Sequence, residues 1–409
     1  MSILTLRICI QSESLPQDYS AGHHGHGVPL CMQTYKHFFK ACRIPGEDKD
    51  TLYINDAHTD YIVVACRNQF FLLRLKTEEM PDEEELVEQL RLIWYLSKEY
   101  ETSSPSIGLM TTENRKQWAS MRNNLIKKIT NKQSLHYLET CLYVLCLDDS
   151  VSVKAATAKN QRRDSAVEMA KMEAAFMCSQ LLHGGGSDYY TGNRYFDKFL
   201  QFVVGRDGIC GIVCEHSASE GITVLRFMNE FLTFLNEKPI DCVVQRKDSL
   251  RGNLYTKNNN LLSSRSIVRL LWDLDETLLH CIQDATKRIN KLTIAGQGPD
   301  NHLMALKELA KRSNLEIPLL FREKAYKEYL NFQLSTSQLP NDKGIIVGYG
   351  AVVPDGYGIS YTPTEEQIMF CISSFYSSPE TSSDFFASSL EGSLLQMREL
   401  CFKYQNNVQ

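Results

Sequence analysis

The period of the apolar residues changes several times along the chain, and each change marks an element. YIVVACRNQFFLLRL, residues 61–75, is dense in β-branched and aromatic side chains and predicts strands. MPDEEELVEQLRLIWYLSKEYE follows with apolar residues at helical spacing and predicts a helix. CLYVLCL, residues 141–147, is short and wholly apolar, as in a strand covered on both faces. AVEMAKMEAAFMCSQLLH predicts a long helix that stops at Gly184, Gly185 and Gly186, because consecutive glycines end a helix. FLQFVV, GRDG and ICGIVC predict two strands around a tight turn. Ile222, Val224, Leu225, Phe227, Met228 and Phe231 then recur at helix spacing. The polar stretch 245–266, with Asn258, Asn259 and Asn260, breaks the pattern and predicts a linker between two domains, 1–258 and 259–409. Helical patterns resume beyond it, and GIIVGYGAVV and IMFCISSF read as strands. Such mixing predicts a layered α/β or α+β architecture with mixed sheets.

Composition adds exclusions. At 409 residues, 43% apolar and 23% charged with a net charge of -5, the chain gives no electrostatic reason to expect a nucleic-acid or membrane partner. No apolar run is long enough for a transmembrane segment. The N-terminal MSILTLRICIQSES is broken by Arg7 and has no small-residue cleavage site, so no signal peptide is expected. The 13 cysteines include no CxxC pair. Cys210 and Cys214 read as core packing within one strand. Scattered thiols of this kind point to a reducing compartment, and a cytoplasmic location is the expectation. The first thirty residues end in AGHHGHG, which has no carboxylate or thiol beside it. They read as a flexible, solvated lead-in rather than a metal site, and no metal is expected.

Candidate chemistry centres on CEHSASEG, residues 214–221. His216 falls where the apolar strand gives way to the next helix. An imidazole titrates near neutral pH and can serve as a general base there. Ser217, Ala218 and Ser219 are small and leave room beside it, and Glu220 is expected on the first turn of the helix, where a carboxylate favours the dipole. The other reading of the motif is a core histidine satisfied by a carbonyl, with Glu220 as a capping charge. LSTSQLP sets the hydroxyls of Ser335, Thr336 and Ser337 in a row. They suit either an oxyanion or an ordinary polar strand end.

Taken together, the two motifs E-H-[SA]-x-x-[ED]-G and L-S-T-S-Q-[VL]-P resemble the choline/carnitine acyltransferase family. The other matches follow in the family's order: PLCM, Arg43, Pro45-Gly46, NQFF, LLHGGGS, GNRYFDKFLQFVVGRDG, VVPDGYG and FCISSFYSSPETSS. They cover most of the chain except its start and residues 233–280. The resemblance implies a two-domain, chloramphenicol-acetyltransferase-like fold with a tunnel between the domains. It also implies a monomer that binds no permanent cofactor and uses acetyl-CoA as co-substrate. Acyl transfer would be direct, which fits the absence of a G-x-S-x-G nucleophile elbow. On this resemblance His216 is the base, Ser337 the oxyanion donor, Glu220 an electrostatic support, and Gln338 reaches toward CoA. Ser335 and Tyr349 would line the acceptor site.

Acceptor choice turns on Asp300-Asn301-His302-Leu303. Carnitine-using members place an arginine where Asn301 stands, a bidentate partner for carnitine's carboxylate. Asn301 resembles the choline-using members instead. Tyr349 does so too, in a Tyr-Gly where carnitine enzymes have Phe-Gly; an aromatic face attracts a quaternary ammonium by about 0.5–2 kcal/mol. Carnitine as acceptor and a catalytically dead fragment are the alternatives.

The chain also departs from the family. It resembles a polypeptide truncated at its start and internally, after about His280, where relatives carry a Lys-rich loop for the CoA 3'-phosphate and a Y/T-E-S-x-S segment. Weak CoA affinity or no activity is the consequence expected, with apolar surface left uncovered. IVRLLWDLDETLL fits the hhhhDxDxT signature of aspartate-nucleophile phosphatases through Asp273 and Asp275. No downstream lysine and acidic pair completes that site, and the acyltransferases have a helix containing N-L-D or D-L-D there.

Overall fold

The structure is a computed structural model that describes residues 3–19, 29–75, 83–99, 105–150, 166–186, 189–237, 267–289, 319–322, 324, 328, 331–338, 345–364 and 367–407. The chain divides into two compact units, 1–290 and 291–409.

The first unit opens with helices α1 (Ile3–Gln11) and α2 (Gln33–Lys36) and strands β1 (Ala41–Ile44) and β2 (Thr51–Ile54). Then come β3 (Tyr61–Cys66), β4 (Gln69–Arg74), α3 (Glu83–Glu99), α4 (Arg115–Leu125), α5 (Ile129–Thr140) and β5 (Val144–Asp148). It continues with α6 (Ala166–His183), β6 (Leu200–Gly205), β7 (Cys210–Cys214), α7 (Gly221–Glu237), β8 (Ile267–Arg269) and α8 (Glu276–Ile289). Six strands form one mixed sheet in the order β7-β6-β5-β3-β4-β8. β3, β5 and β6 run parallel, whereas β4, β7 and β8 pair antiparallel with their neighbours.

Both faces of this sheet are covered, which is why its central strands read as continuous apolar runs. Val63, Ala65, Phe70 and Leu72 pack with Trp118, Leu138 and Leu278 on one side. Ile62, Val64, Phe71 and Leu73 pack with Leu6, Ile93 and Phe227 on the other. The period of two along β3 sorts its side chains between these layers. A two-residue turn joins β3 to β4 with Arg67 and Asn68 at φ 49° and 58°. Neither is glycine, so the turn needs outside support. The Arg67 guanidinium donates to the Trp94 carbonyl at 3.2 Å and the Ser97 hydroxyl at 2.8 Å, and stacks 4.2 Å over the Trp94 ring.

Several expectations need correction. The lead-in is not wholly solvated, because α1 buries Leu6 in the core. Cys210 is exposed rather than packed in the core. The D-L-D string lies between β8 and α8, not inside a helix: Asp275 Oδ1 accepts from the Leu278 amide at 2.9 Å and caps α8. The AGHHGHG cluster and the polar stretch 245–266 lie outside the described residues. β8 and α8, from beyond that stretch, are built onto the first unit's sheet and core.

In the second unit β9 (Leu334–Gln338), β10 (Tyr357–Pro363) and β11 (Ile368–Ser374) form a sheet in the order β11-β10-β9, followed by α9 (Ser383–Asn407). β9 runs parallel to β10, with Ser335 opposite Gly358 and Ser337 opposite Ser360. Residues 345–350 form no strand; residues 345–351 cross the serine-bearing face instead. They are held there by the Ser360 hydroxyl on the Val347 carbonyl and the Ser373 hydroxyl on the Tyr349 carbonyl at 2.6 Å. Gly358 permits the close approach, since a Cβ there would meet the Gly350 carbonyl oxygen at 2.7 Å. The opposite face carries Tyr357, whose ring centroid lies 4.7 Å from that of Phe386 on α9.

Candidate active site

The CEHSASEG segment departs from the sheet by a tight, pinned turn. β7 ends at Cys214, and the Glu215 amide still donates to the Phe199 carbonyl at 3.0 Å, extending the pairing by one residue. His216 therefore sits in the turn after the strand, and it is exposed. The Glu215 carboxylate folds back over the turn, where Oε2 accepts from the Ser217 amide at 3.1 Å and from the Ser217 hydroxyl. Ala218 and Ser219 are buried, the latter with no partner for its hydroxyl. Glu220 is exposed and precedes α7 instead of lying on its first turn; its carbonyl accepts from the Thr223 amide at 3.1 Å.

Behind the turn runs a chain of alternating charges. Arg43 Nη1 donates to Glu215 Oε1 at 3.3 Å, and Arg43 Nε to Asp50 Oδ2 at 2.6 Å. Arg115 Nε donates to the same Asp50 oxygen at 2.6 Å, and Arg115 Nη1 to Asp197 Oδ1 at 2.7 Å. The Trp118 indole donates to Asp197 Oδ2 at 2.6 Å. Burial pushes the Asp197 carboxyl up to about 6, against the opposing pull of Arg115 and the Trp118 N–H. Burial would also raise Asp50, but the Gly46 amide, Arg115 and Arg43 outweigh it and hold that carboxyl below its ordinary range. Sequence reading noted Arg43 only as a motif match. No local spacing signals its pairing with Glu215, because 172 positions separate the two.

In the second unit, alternation along β9 puts Ser335 and Ser337 half-buried on one face, while Leu334, Thr336 and Gln338 are exposed on the other. Ser337 and Gln338 thus face opposite ways. The Tyr349 hydroxyl donates to the Ser335 carbonyl at 2.8 Å and lies 3.1 Å from the Ile359 carbonyl, which fixes the ring beside Ser335. Asn301 lies outside the described residues. The structure groups His216 with Glu220 in the first unit, and Ser335, Ser337 and Tyr349 in the second.

A cavity of about 400 Å³ opens elsewhere on the first unit, between Asn68, Gln69, Arg269, Trp272 and Asp273. His216 is not among the residues that line it. Among the described residues no group of three or more His, Cys, Asp or Glu could hold a metal ion, and no helix is long and apolar enough to cross a membrane.

The chain is similar to choline O-acetyltransferase of Danio rerio, 32% identical over 505 residues that take in 99% of this chain and 76% of that protein. It is similar to choline O-acetyltransferase of Homo sapiens at 31% over 500 residues, 98% of this chain and 64% of that protein. Carnitine O-acetyltransferase of Columba livia follows at 28% over 494 residues, covering 97% and 75%. The 505-residue alignment is about a hundred positions longer than the chain itself, so long gaps fall within this sequence. The family model described as Choline/Carnitine o-acyltransferase matches in two pieces, residues 1–295 and 291–392. The mixed α/β layers, the order of the motifs and these matches agree: the chain belongs to the choline/carnitine acyltransferase family.

Proposed function

We propose that this chain is a choline O-acetyltransferase whose hold on the coenzyme is weakened by the internal gap. The observation that carries the choice of acceptor is Asn301, an uncharged side chain where carnitine use calls for a guanidinium. The greater identity to choline O-acetyltransferases supports the same choice. In the reaction, His216 takes the proton of choline's hydroxyl as that oxygen attacks the thioester carbonyl of acetyl-CoA. Ser337 donates to the resulting oxyanion. The C–S bond then breaks, and the imidazolium returns its proton to the departing thiolate. General-base help of this kind supplies roughly 10²–10⁴-fold. Ser335 and Tyr349 line the choline site, Gln338 reaches toward CoA, and Glu220 tunes the field around the imidazole. No disulfide joins the described cysteines, which supports a reducing, cytoplasmic setting, with the chain acting as a monomer.

The test is release of the CoA thiol by the purified chain with choline or carnitine. Slow transfer that prefers choline is expected, with acetyl-CoA far from saturating. His216→Ala should abolish it, and Asn301→Arg should raise use of carnitine relative to choline. Transfer that prefers carnitine in the unmodified chain would overturn the acceptor assignment. The two-piece family match favours a second reading, a non-catalytic member that keeps the fold. No transfer even at saturating acetyl-CoA, with the chain folded, would establish that reading instead.

A further inference from the structure

We propose that Arg43 is a positioning residue for His216, acting through Glu215 to lock the turn that carries the imidazole. This rests on the reading of His216 as the base. A general base must be held at hydrogen-bonding distance and in one orientation to be effective. A turn leaving a strand end has no ladder hydrogen bonds to hold it, so the restraint has to come from side chains.

Glu215 supplies that restraint and cannot do so alone. Its carboxylate spans His216, receiving the amide and hydroxyl of Ser217 on one oxygen and Arg43 on the other. The arrangement is unlike a loose surface ion pair, because the Glu215 side chain is only 11% exposed. Arg43 is fixed in turn at two points. Its Nε reaches Asp50 Oδ2 at 2.6 Å and its backbone amide donates to the Asp197 carbonyl at 2.8 Å, while Arg115 holds the same Asp50 oxygen. Asp197 closes the chain against Arg115 and Trp118 inside the core. A continuous set of charged hydrogen bonds thereby ties the exposed turn to the buried interior, which Glu215 facing solvent could not achieve.

The test compares Arg43→Met, Arg43→Lys and Glu215→Gln in the full chain. It reads kcat and KM for choline together with the ring resonances of His216, assigned with a His216→Gln control. Arg43→Met should lower kcat by about tenfold or more with little change in KM, and should shift or broaden the His216 ring signals. Arg43→Lys should recover part of both. Glu215→Gln keeps the side-chain volume and should move the ring signals the same way, which decides the matter if Arg43→Met does not fold. Unchanged ring signals in the folded variants would overturn the proposal, whatever happens to kcat. If the signals move while the unmodified chain transfers no acetyl group, the positioning role stands and the proposed function falls.

Discussion

The two units treat charge and apolar surface in opposite ways. Among the described residues, the first unit buries Asp148, Arg194, Asp197 and Lys198 inside two packed apolar layers. The buried residues described in the second are Phe321, Ala351, Gly356, Gly358, Ile359, Ser360 and Phe375. Phe385 and Phe402 on α9 are 74% and 57% exposed, and Tyr376 is 90% exposed. A sheet can enclose ions when both its faces are covered and the charges are paired. The first unit has that cover. The second contains a three-stranded sheet in a chain whose alignment with its relatives skips about a hundred positions.

Four substitutions can break or sharpen this contrast. The largest effect is expected at Arg194, which pairs with Asp148 through hydrogen bonds of 2.9 and 2.7 Å, both side chains fully buried. Arg194→Ala should cost the first unit about 3–5 kcal/mol, read from the urea midpoint. A loss below about 1 kcal/mol would mean that this interior is wetter than described.

Next comes pH. The Asp197 carboxyl is raised in the folded chain from 3.8 to about 6, so the folded state holds more protons than the unfolded between those values. Its contribution therefore falls as pH rises from about 4 to about 6, by up to roughly 3 kcal/mol. Asp50, held low, works in the other direction, its contribution being lost as pH falls. Asp197→Asn should remove the first of these. Urea midpoints at pH 4.5 and 6.5 should then rise more steeply with pH than in the unmodified chain; an unaltered profile would contradict the assignment.

A smaller cost attaches to Gly184, at φ 78°, where a Cβ would meet the Thr191 amide nitrogen at 2.4 Å. Gly184→Ala should destabilise by about 1–3 kcal/mol in thermal melts. The smallest effect belongs to the second unit. Phe402→Ser should shift stability by less than about 0.5 kcal/mol while reducing binding of a hydrophobic dye. A large loss of stability there would show that α9 is covered after all.

Much of the first unit was legible from residue pattern. The three glycines ended α6 where expected, with all three at positive φ, because nothing else tolerates that backbone so readily. FLQFVV-GRDG-ICGIVC formed its hairpin, with Gly208 at φ 89° closing the turn. The helix after CEHSASEG formed on the spacing of its apolar residues and buried Leu225 and Phe227. Other features were misread for local reasons. The apolar residues of GIIVGYG suggested a strand, but residues 345–351 find their partners in side-chain hydroxyls of the sheet beneath them. The D-L-D string, expected within a helix, instead precedes one, with Asp275 as its cap.

The sequence by itself determined the family, the two motifs and the candidate residues His216, Ser335, Ser337 and Tyr349, because short-range order and residue type are written directly in the chain. Which groups hold those residues was decided only by tertiary structure. Arg43, Asp50, Arg115 and Asp197 meet behind Glu215 through hydrogen bonds that span up to 172 positions. No periodicity encodes a contact between segments that only the folded sheet brings together, and the electrostatics of the turn depend on those contacts.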